Sequence, residues 1–155
     1  MTVHERWMSL ALKEAFRAHE RNEVPVGAIV VYKNAVIGRG HNQVETLKDA
    51  TAHAEMIAIS AAQSTLESKW LKDCVMYVTM EPCPMCAGAM VLARLPVLVF
   101  GCYDPKMGAA GSLYTIPEDK RLNHRIHVVA GVLDAECGSL LKEFFRRRRP
   151  GSEGE

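Results

Sequence analysis

The sequence predicts an α/β protein of three layers, in which a central sheet of five mixed strands lies between helices on both faces. In the middle of the chain, strand-like and helix-like segments alternate, which indicates parallel neighbours in one sheet. The 155 residues, of which 48% are apolar, are enough for one domain with a substantial core. We therefore expect a single domain over residues 1–149 and a short disordered tail over residues 150–155.

Apolar spacing predicts the first elements. Residues 5–21 carry apolar side chains at helical intervals. The runs VPVGAIVVYK and AVIGRGHN follow, and the polar break at Lys33-Asn34 between them predicts a hairpin of two strands. A polar loop over residues 43–52 then leads into an apolar helical segment over residues 54–62.

The second half of the chain continues the alternation. CVMYVTM and VLVFGC are short β-branched and aromatic runs typical of buried strands, and CPMCAGAMVLAR between them reads as a buried helix. After a loop over residues 103–123, IHVVAGV predicts the last strand. The last helix is expected from Asp134 to about Arg147, with one apolar side formed by Leu140, Leu141, Phe144 and Phe145.

One acidic residue interrupts the apolar segment over residues 54–62. Glu55 shares a helix face with Ala58, Ile59 and Ala62. Burying an unpaired carboxylate is costly. Its position therefore indicates that Glu55 has a function that requires burial.

A catalytic metal site next to Glu55 would explain why this carboxyl is buried. Cys83 and Cys86 share a helix face directly after a predicted strand, and thiolates are favoured at a helix N-terminus. His53 opens the preceding helix, so if both helices follow adjacent parallel strands their N-termini meet at one sheet edge. Three ligands leave the open position of a catalytic zinc. We expect one zinc per chain, with Glu55 as the catalytic residue that faces its bound water.

Other interpretations of these residues stay open. A lone C-x-x-C also fits a redox pair or two core cysteines. A structural zinc would need a fourth protein ligand, for which Cys74, Cys102, Cys137 and His41 are candidates. An odd count of five cysteines without an export signal argues against a disulfide framework. No apolar stretch approaches the ~18 residues of a membrane span, so we expect a cytoplasmic protein without membrane contact.

The segment HAE followed by PCPMC resembles the H-x-E…P-C-x-x-C signature of the zinc-dependent nucleobase deaminases. NEVPVGAIVV, TAHAEM, EPCPMCAGAM, GAAGSL and NHRI are similar to segments of the bacterial tRNA-specific adenosine deaminases, over almost the whole chain. This resemblance implies a cytidine-deaminase-like fold, a homodimer and a tRNA anticodon stem-loop as partner. It also implies that adenosine is converted to inosine at the wobble position.

The resemblance further implies roles for single residues. Glu55 is expected to move a proton from the zinc-bound water to the adenine ring and then to the leaving ammonia. Asn42 is expected to contact the flipped base. Four loop residues are expected to hold the neighbouring nucleotides: Asp104, Lys106, Asn123 and His124. The alternative is that these polar residues only form ordinary turns.

Positive charge is concentrated at the end of the chain. The formal net charge is +1, and it becomes negative when the run Arg146, Arg147, Arg148 and Arg149 is left out. We interpret this run as a contact for RNA phosphates. A solvated helix end, stabilised by the helix dipole, is the alternative.

The zinc motif predicts the chemistry but not the substrate. A deaminase of free guanine, cytosine or cytidine would carry the same motif and would not depend on RNA. A zinc-stabilised RNA-binding module without chemistry would require a fourth protein ligand and would not need Glu55.

Overall fold

The computed structural model describes residues 1–148. Its strands are β1 (Gly27–Tyr32), β2 (Ala35–His41), β3 (Cys74–Met80), β4 (Val97–Cys102) and β5 (His127–Val129). They form one five-stranded sheet in the order β2-β1-β3-β4-β5. Strand β1 is antiparallel to both of its neighbours, whereas β3, β4 and β5 run parallel. The predicted five-stranded mixed sheet is confirmed.

The helices are α1 (Val3–Glu20), α2 (Val44–Leu47), α3 (Ala54–Leu66), α4 (Pro84–Leu92) and α5 (Asp134–Arg147). A single 3-10 turn, Ile116–Glu118, lies in the long segment between β4 and β5. The segment over residues 43–52, predicted as a polar loop, contains the short helix α2. The helix predicted over residues 54–62 extends to Leu66. No helix within residues 1–148 has the length and apolarity needed to cross a membrane.

Helices cover both faces of the sheet. On one face, Ala28 and Val30 of β1 pack in a core with α3 and α4. On the other face, Ile29 and Val31 belong to a second core with α1 and Cys137 of α5. Side chains alternate along a strand, so a central strand that is buried on both faces must be apolar throughout. This explains why β1 and β3 read as continuous apolar runs.

The hairpin and its glycines bring α3 close to the sheet. Lys33 and Asn34 both have positive φ, at 49° and 65°, which is the backbone of a type I′ hairpin turn. A Cβ on Gly40 of β2 would lie 2.3 Å from the carbonyl oxygen of Ala54, the first residue of α3. Gly40 therefore lets the start of α3 pack directly on β2.

The starts of α3 and α4 lie at the same edge of the sheet, as predicted, although the condition of adjacent parallel strands is not met. The strands that precede them, β2 and β3, are not adjacent, because β1 lies between them. Since β1 is antiparallel to both, β2 and β3 still run in the same direction. Their carboxyl ends, and the helices that follow, therefore lie at one edge.

The last helix is anchored by fewer residues than the sequence predicts. Leu140, Leu141 and Phe144 are buried. Phe145 is 49% exposed, so the expectation that it also packs on the body was wrong. One residue turns a helix by about 100°, which carries Phe145 away from the face that Phe144 buries. The predicted tail over residues 150–155 and Arg149 lie outside the described residues.

Candidate active site

Three potential metal ligands meet where α3 and α4 begin. His53 is the N-cap residue of α3, Cys83 is the N-cap residue of α4, and Cys86 lies in the first turn of α4. The Nδ1 atom of His53 lies 3.6 Å from the Sγ atoms of both cysteines. Neither N-cap side chain bonds to its own helix, because each turns toward the other.

These distances fit a tetrahedral metal ion. Zinc bonds of about 2.3 Å to sulfur and about 2.1 Å to nitrogen, at a tetrahedral angle, separate the ligand atoms by about 3.6 Å. The three ligand atoms of this group all lie within 4.8 Å of one another. Two thiolates and an imidazole form a donor set that suits zinc.

The four candidates for a further ligand lie elsewhere. The thiols of Cys74 and Cys102 donate to the carbonyl oxygens of Lys72 and Thr79. Cys137 belongs to the core on the opposite face of the sheet. The Nδ1 atom of His41 lies 3.5 Å from the Glu14 carboxylate. Within residues 1–148 the metal-ligand group therefore has three members, which is the count of a catalytic site.

A hydrogen bond between the two cysteine side chains shifts their pKa values in opposite directions. The hydrogen bond from Cys86 lowers the pKa of Cys83 to about 4, and the same bond raises the pKa of the Cys86 thiol. The hydrogen bond to Cys83 raises the pKa of His53. A metal ion requires both thiolates and a neutral imidazole, so its binding releases protons from this cluster.

Glu55 lies in the first turn of α3, beside this cluster. Its side chain is buried, with a residue exposure of 4%. Burial raises the pKa of Glu55 to about 7. A carboxyl group with a pKa near neutrality can both accept and return a proton, which is the property that a general acid–base catalyst needs.

A cavity of about 830 Å³ opens over the cluster, and its wall includes His53, Glu55 and Cys83. Asn42, which is 8% exposed, also lines it. Cavities of about 300–1,000 Å³ are typical of small-molecule sites, so this cavity has the size of a ligand-binding site.

The end of α5 forms part of the cavity wall. The Arg148 guanidinium donates to the carbonyl oxygen of Asn22 at 3.1 Å and lies 4.4 Å from the ring centre of Phe144. Arg147 pairs with Glu143 at 2.8 Å, and Arg146 approaches the same carboxylate at 3.9 Å. Of the described arginines in the run, only Arg148 is part of the wall.

The predicted nucleotide-binding residues lie in two places. Asp104 lines the cavity, and its carboxylate accepts hydrogen bonds from the backbone of Lys106 and Met107. His124 lies near the other end of β4, where its Nε2 atom is 2.6 Å from the carbonyl oxygen of Leu95. Asn123 and His124 do not line this cavity in the described part of the chain. RNA contact by these residues stays a prediction.

Two buried carboxylates in the cavity wall were not predicted from the sequence. Glu23 accepts hydrogen bonds from the backbone of Glu45 and from Thr46, and thereby holds the start of α2. Glu81 accepts hydrogen bonds from the loop that follows β4. Burial raises the pKa of each carboxyl, but these hydrogen bonds outweigh it and lower both pKa values below the usual range. The sequence did contain one signal for Glu81, because this residue directly precedes the PCPMC motif.

Comparison with known proteins places this site in a family. The profile of the MafB19-like deaminase family matches residues 2–149. The tRNA-specific adenosine deaminase of Bacillus subtilis (strain 168) is 48% identical over 149 residues, which cover 96% of this chain and 92% of that protein. That of Aquifex aeolicus (strain VF5) is 46% identical, over 94% of this chain and 95% of the relative. This chain belongs to the deaminase family that contains the tRNA-specific adenosine deaminases.

A comparison with solved structures supports the same family. A solved structure from work on A-to-I editing by tRNA:A34 deaminases at the wobble position of transfer RNA superposes on this deaminase with a TM-score of 0.84. It is 40% identical, and the match covers 88% of this chain and 99% of the other. In the deaminase described here, His53 and Glu55 of the H-x-E segment line the cavity together with Cys83 of the P-C-x-x-C segment, and Cys86 completes the group of potential metal ligands.

Proposed function

We propose that this protein hydrolytically deaminates adenosine to inosine at the wobble position of a tRNA anticodon, with one zinc ion per chain. The observation that carries the proposal is an open group of three ligands, His53, Cys83 and Cys86, beside the buried carboxyl of Glu55. The names of the relatives support the choice of adenosine in tRNA.

The zinc ion, when bound by these three side chains, supplies a water molecule of lowered pKa. Two thiolates offset the charge of the ion and weaken this effect, so a base is required. Glu55 accepts the proton of the water, and a pKa near 7 lets it do so at neutral pH. Its protonated form then donates this proton to the ring nitrogen of adenine as the remaining hydroxide adds to C6. The carboxylate next accepts the second proton, from the new hydroxyl group, and donates it to the amino group, so that the C–N bond breaks and ammonia leaves.

The cavity suits a nucleotide that has left its stack. A base in an anticodon loop can be splayed out at lower cost than a base in a duplex. We propose that Asn42 binds this base and that Asp104 and Lys106 hold its neighbour. Arg148 is proposed to meet an RNA phosphate at the cavity wall.

A non-catalytic RNA-binding module is disfavoured. Such a module requires a fourth protein ligand, and the described residues offer three. It also gives no reason for the Glu55 carboxyl to be buried beside the ligand group. A deaminase of a free base is the remaining competitor, and substrate assays decide between the two.

We also propose a homodimer in the cytoplasm. Met85, Gly88, Ala89 and Leu92 form one stripe of α4 at helical spacing. Leu92 is 78% exposed, and a Cβ on Gly88 would meet no atom within 4 Å. A second copy would cover this apolar stripe. The five cysteines are free, which suits a reducing compartment.

The test is an inosine assay on anticodon stem-loops beside free adenosine, cytidine and guanine, with Glu55→Gln as the inactive control. We expect turnover of the stem-loop only. Arg148→Ala should weaken RNA binding and reduce the slope of log K against log salt by about 0.7–0.9, the value of one phosphate contact. Turnover of free guanine, together with an unchanged salt slope, would favour the competing function.

A further inference from the structure

Glu81 is a buried carboxylate that the proposed reaction does not use. It directly follows β3, and its residue exposure is 3%. One oxygen, Oε1, accepts from the backbone N–H of Asp104 at 2.9 Å and from the Ser112 hydroxyl at 2.5 Å. The other, Oε2, accepts from the backbone N–H groups of Ala110 at 3.0 Å and Ser112 at 2.9 Å. All four donors belong to one loop, residues 104–112.

The loop is also packed tightly on this carboxylate. A Cβ on Gly108 would lie 2.3 Å from the Cδ atom of Glu81, so only glycine fits there. The backbone N–H of Ala109 donates to the carbonyl oxygen of Pro82 at 2.8 Å. Glu81 and Pro82 therefore hold the loop to the segment that continues into Cys83, one of the proposed zinc ligands.

The loop carries two residues that the proposed function assigns to RNA. Asp104 lines the cavity, and Lys106 is exposed in the turn that the Asp104 carboxylate stabilises. We infer that Glu81 is a positioning residue, which fixes the RNA-binding loop at a set distance from the metal-ligand segment. This inference rests on the proposed function. Glu81 then acts on RNA binding through the loop and takes no part in the proton transfers of Glu55.

The substitution Glu81→Gln isolates this role with almost no change in volume. An amide has one accepting oxygen, so its NH₂ group must face one of the two donor pairs. The Ser112 hydroxyl can turn and accept from the NH₂ group, whereas the N–H of Asp104 cannot. The least costly arrangement therefore releases Asp104, the residue at the cavity. Ser112→Ala alone keeps all three backbone bonds and should have a small effect.

The first measurement does not depend on any substrate. Trypsin can cut the native protein after Lys106 only when the loop opens, and cleavage of a transiently open state follows its population. In the zinc-loaded protein, we expect Glu81→Gln to speed cleavage at Lys106 by about tenfold. The double variant, Glu81→Gln with Ser112→Ala, should speed this cleavage by more than the product of the two single effects. The matched control is Glu23→Gln, which releases α2 and should leave this cleavage unchanged. Equal cleavage of wild type and Glu81→Gln overturns the inference.

The second measurement uses the anticodon stem-loop. Glu81→Gln should raise KM for the RNA by about tenfold, while the single-turnover rate at saturating RNA stays within about threefold of wild type. Faster cleavage with an unchanged KM, or a loss confined to the saturating rate, overturns the role in RNA binding. A wild-type protein that does not deaminate the stem-loop would refute the proposed function instead. The trypsin result would still decide whether Glu81 anchors the loop.

Discussion

Replacing Glu55 by Gln should change activity and stability in opposite directions. The substitution keeps the shape of the side chain but removes the carboxyl group that we propose to move protons. Loss of a general acid–base catalyst lowers turnover by about 10²–10⁴-fold. The same substitution removes a carboxylate whose burial raises its pKa, so the folded protein should become more stable above neutral pH.

The gain in stability follows from the pKa of Glu55. Burial raises this pKa from 4.5 to about 7, which corresponds to up to about 3 kcal/mol at about 1.36 kcal/mol per tenfold change. Below pH 4.5 the carboxyl is protonated in both states and contributes no penalty. Between these pKa values the folded protein binds more protons, so its stability falls as the pH rises. The full penalty applies above about pH 7.

Urea unfolding of zinc-depleted wild type and Glu55→Gln would measure this difference at about pH 4 and pH 8. The two proteins should be nearly equal at the lower pH, and Glu55→Gln should be more stable at the higher one. The matched control is Glu14→Gln. Glu14 is equally buried but lies within 3.6 Å of Arg17 and 3.5 Å of His41, so its removal should destabilise the protein.

Two results would refute this reasoning. Deamination by Glu55→Gln within about tenfold of wild type would show that Glu55 does not carry the proton. A variant that is less stable than wild type at pH 8, as Glu14→Gln should be, would show that Glu55 is stabilised as an anion in the folded protein.

Three further substitutions test the metal, the helix packing and the dimer. Cys86→Ala should reduce zinc well below one per chain in elemental analysis and lower the melting temperature, and full zinc retention would contradict the ligand assignment. Gly40→Ala should cost about 1–3 kcal/mol in urea unfolding and reduce deamination, because its Cβ pushes Ala54 and the start of α3 away from β2. Its control is Gly138→Ala in α5, where the Cβ meets only an atom at 3.9 Å and should instead stabilise the helix by about 0.5–1 kcal/mol. Leu92→Glu should yield monomers with normal zinc content in sedimentation velocity, and an intact dimer would place the interface elsewhere.

The sequence predicted the elements and the candidate residues His53, Cys83 and Cys86, which the structure brings together, because the signals for each of them are local patterns. Cysteines three residues apart share a helix face wherever the helix lies. A carboxylate among alanines and isoleucine, such as Glu55, stands out without any knowledge of the sheet. Membership of the deaminase family, predicted from the same segments, is confirmed.

The features that the sequence did not reveal depend on contacts between distant segments. The order of the strands places β1 between β2 and β3, and no local pattern encodes which strand inserts. Glu23 and Glu81 look like ordinary loop acids, because the N–H groups that bind them lie 22 to 31 residues away. Phe145 is apolar like its neighbours on α5, but it points away from the face that Phe144 buries and is half exposed.

The order in which the cavity wall appears along the chain has a consequence for synthesis. The three proposed metal ligands are all present once residue 86 has been made, whereas Phe144 and Arg148 of the wall come at the very end. Strand β4, which pairs with the strand before Cys83, also comes later. A chain that stops after residue 86 would therefore contain every proposed metal ligand and Glu55, and still lack a complete wall. The RNA contact that we propose for Arg148 requires the chain up to residue 148.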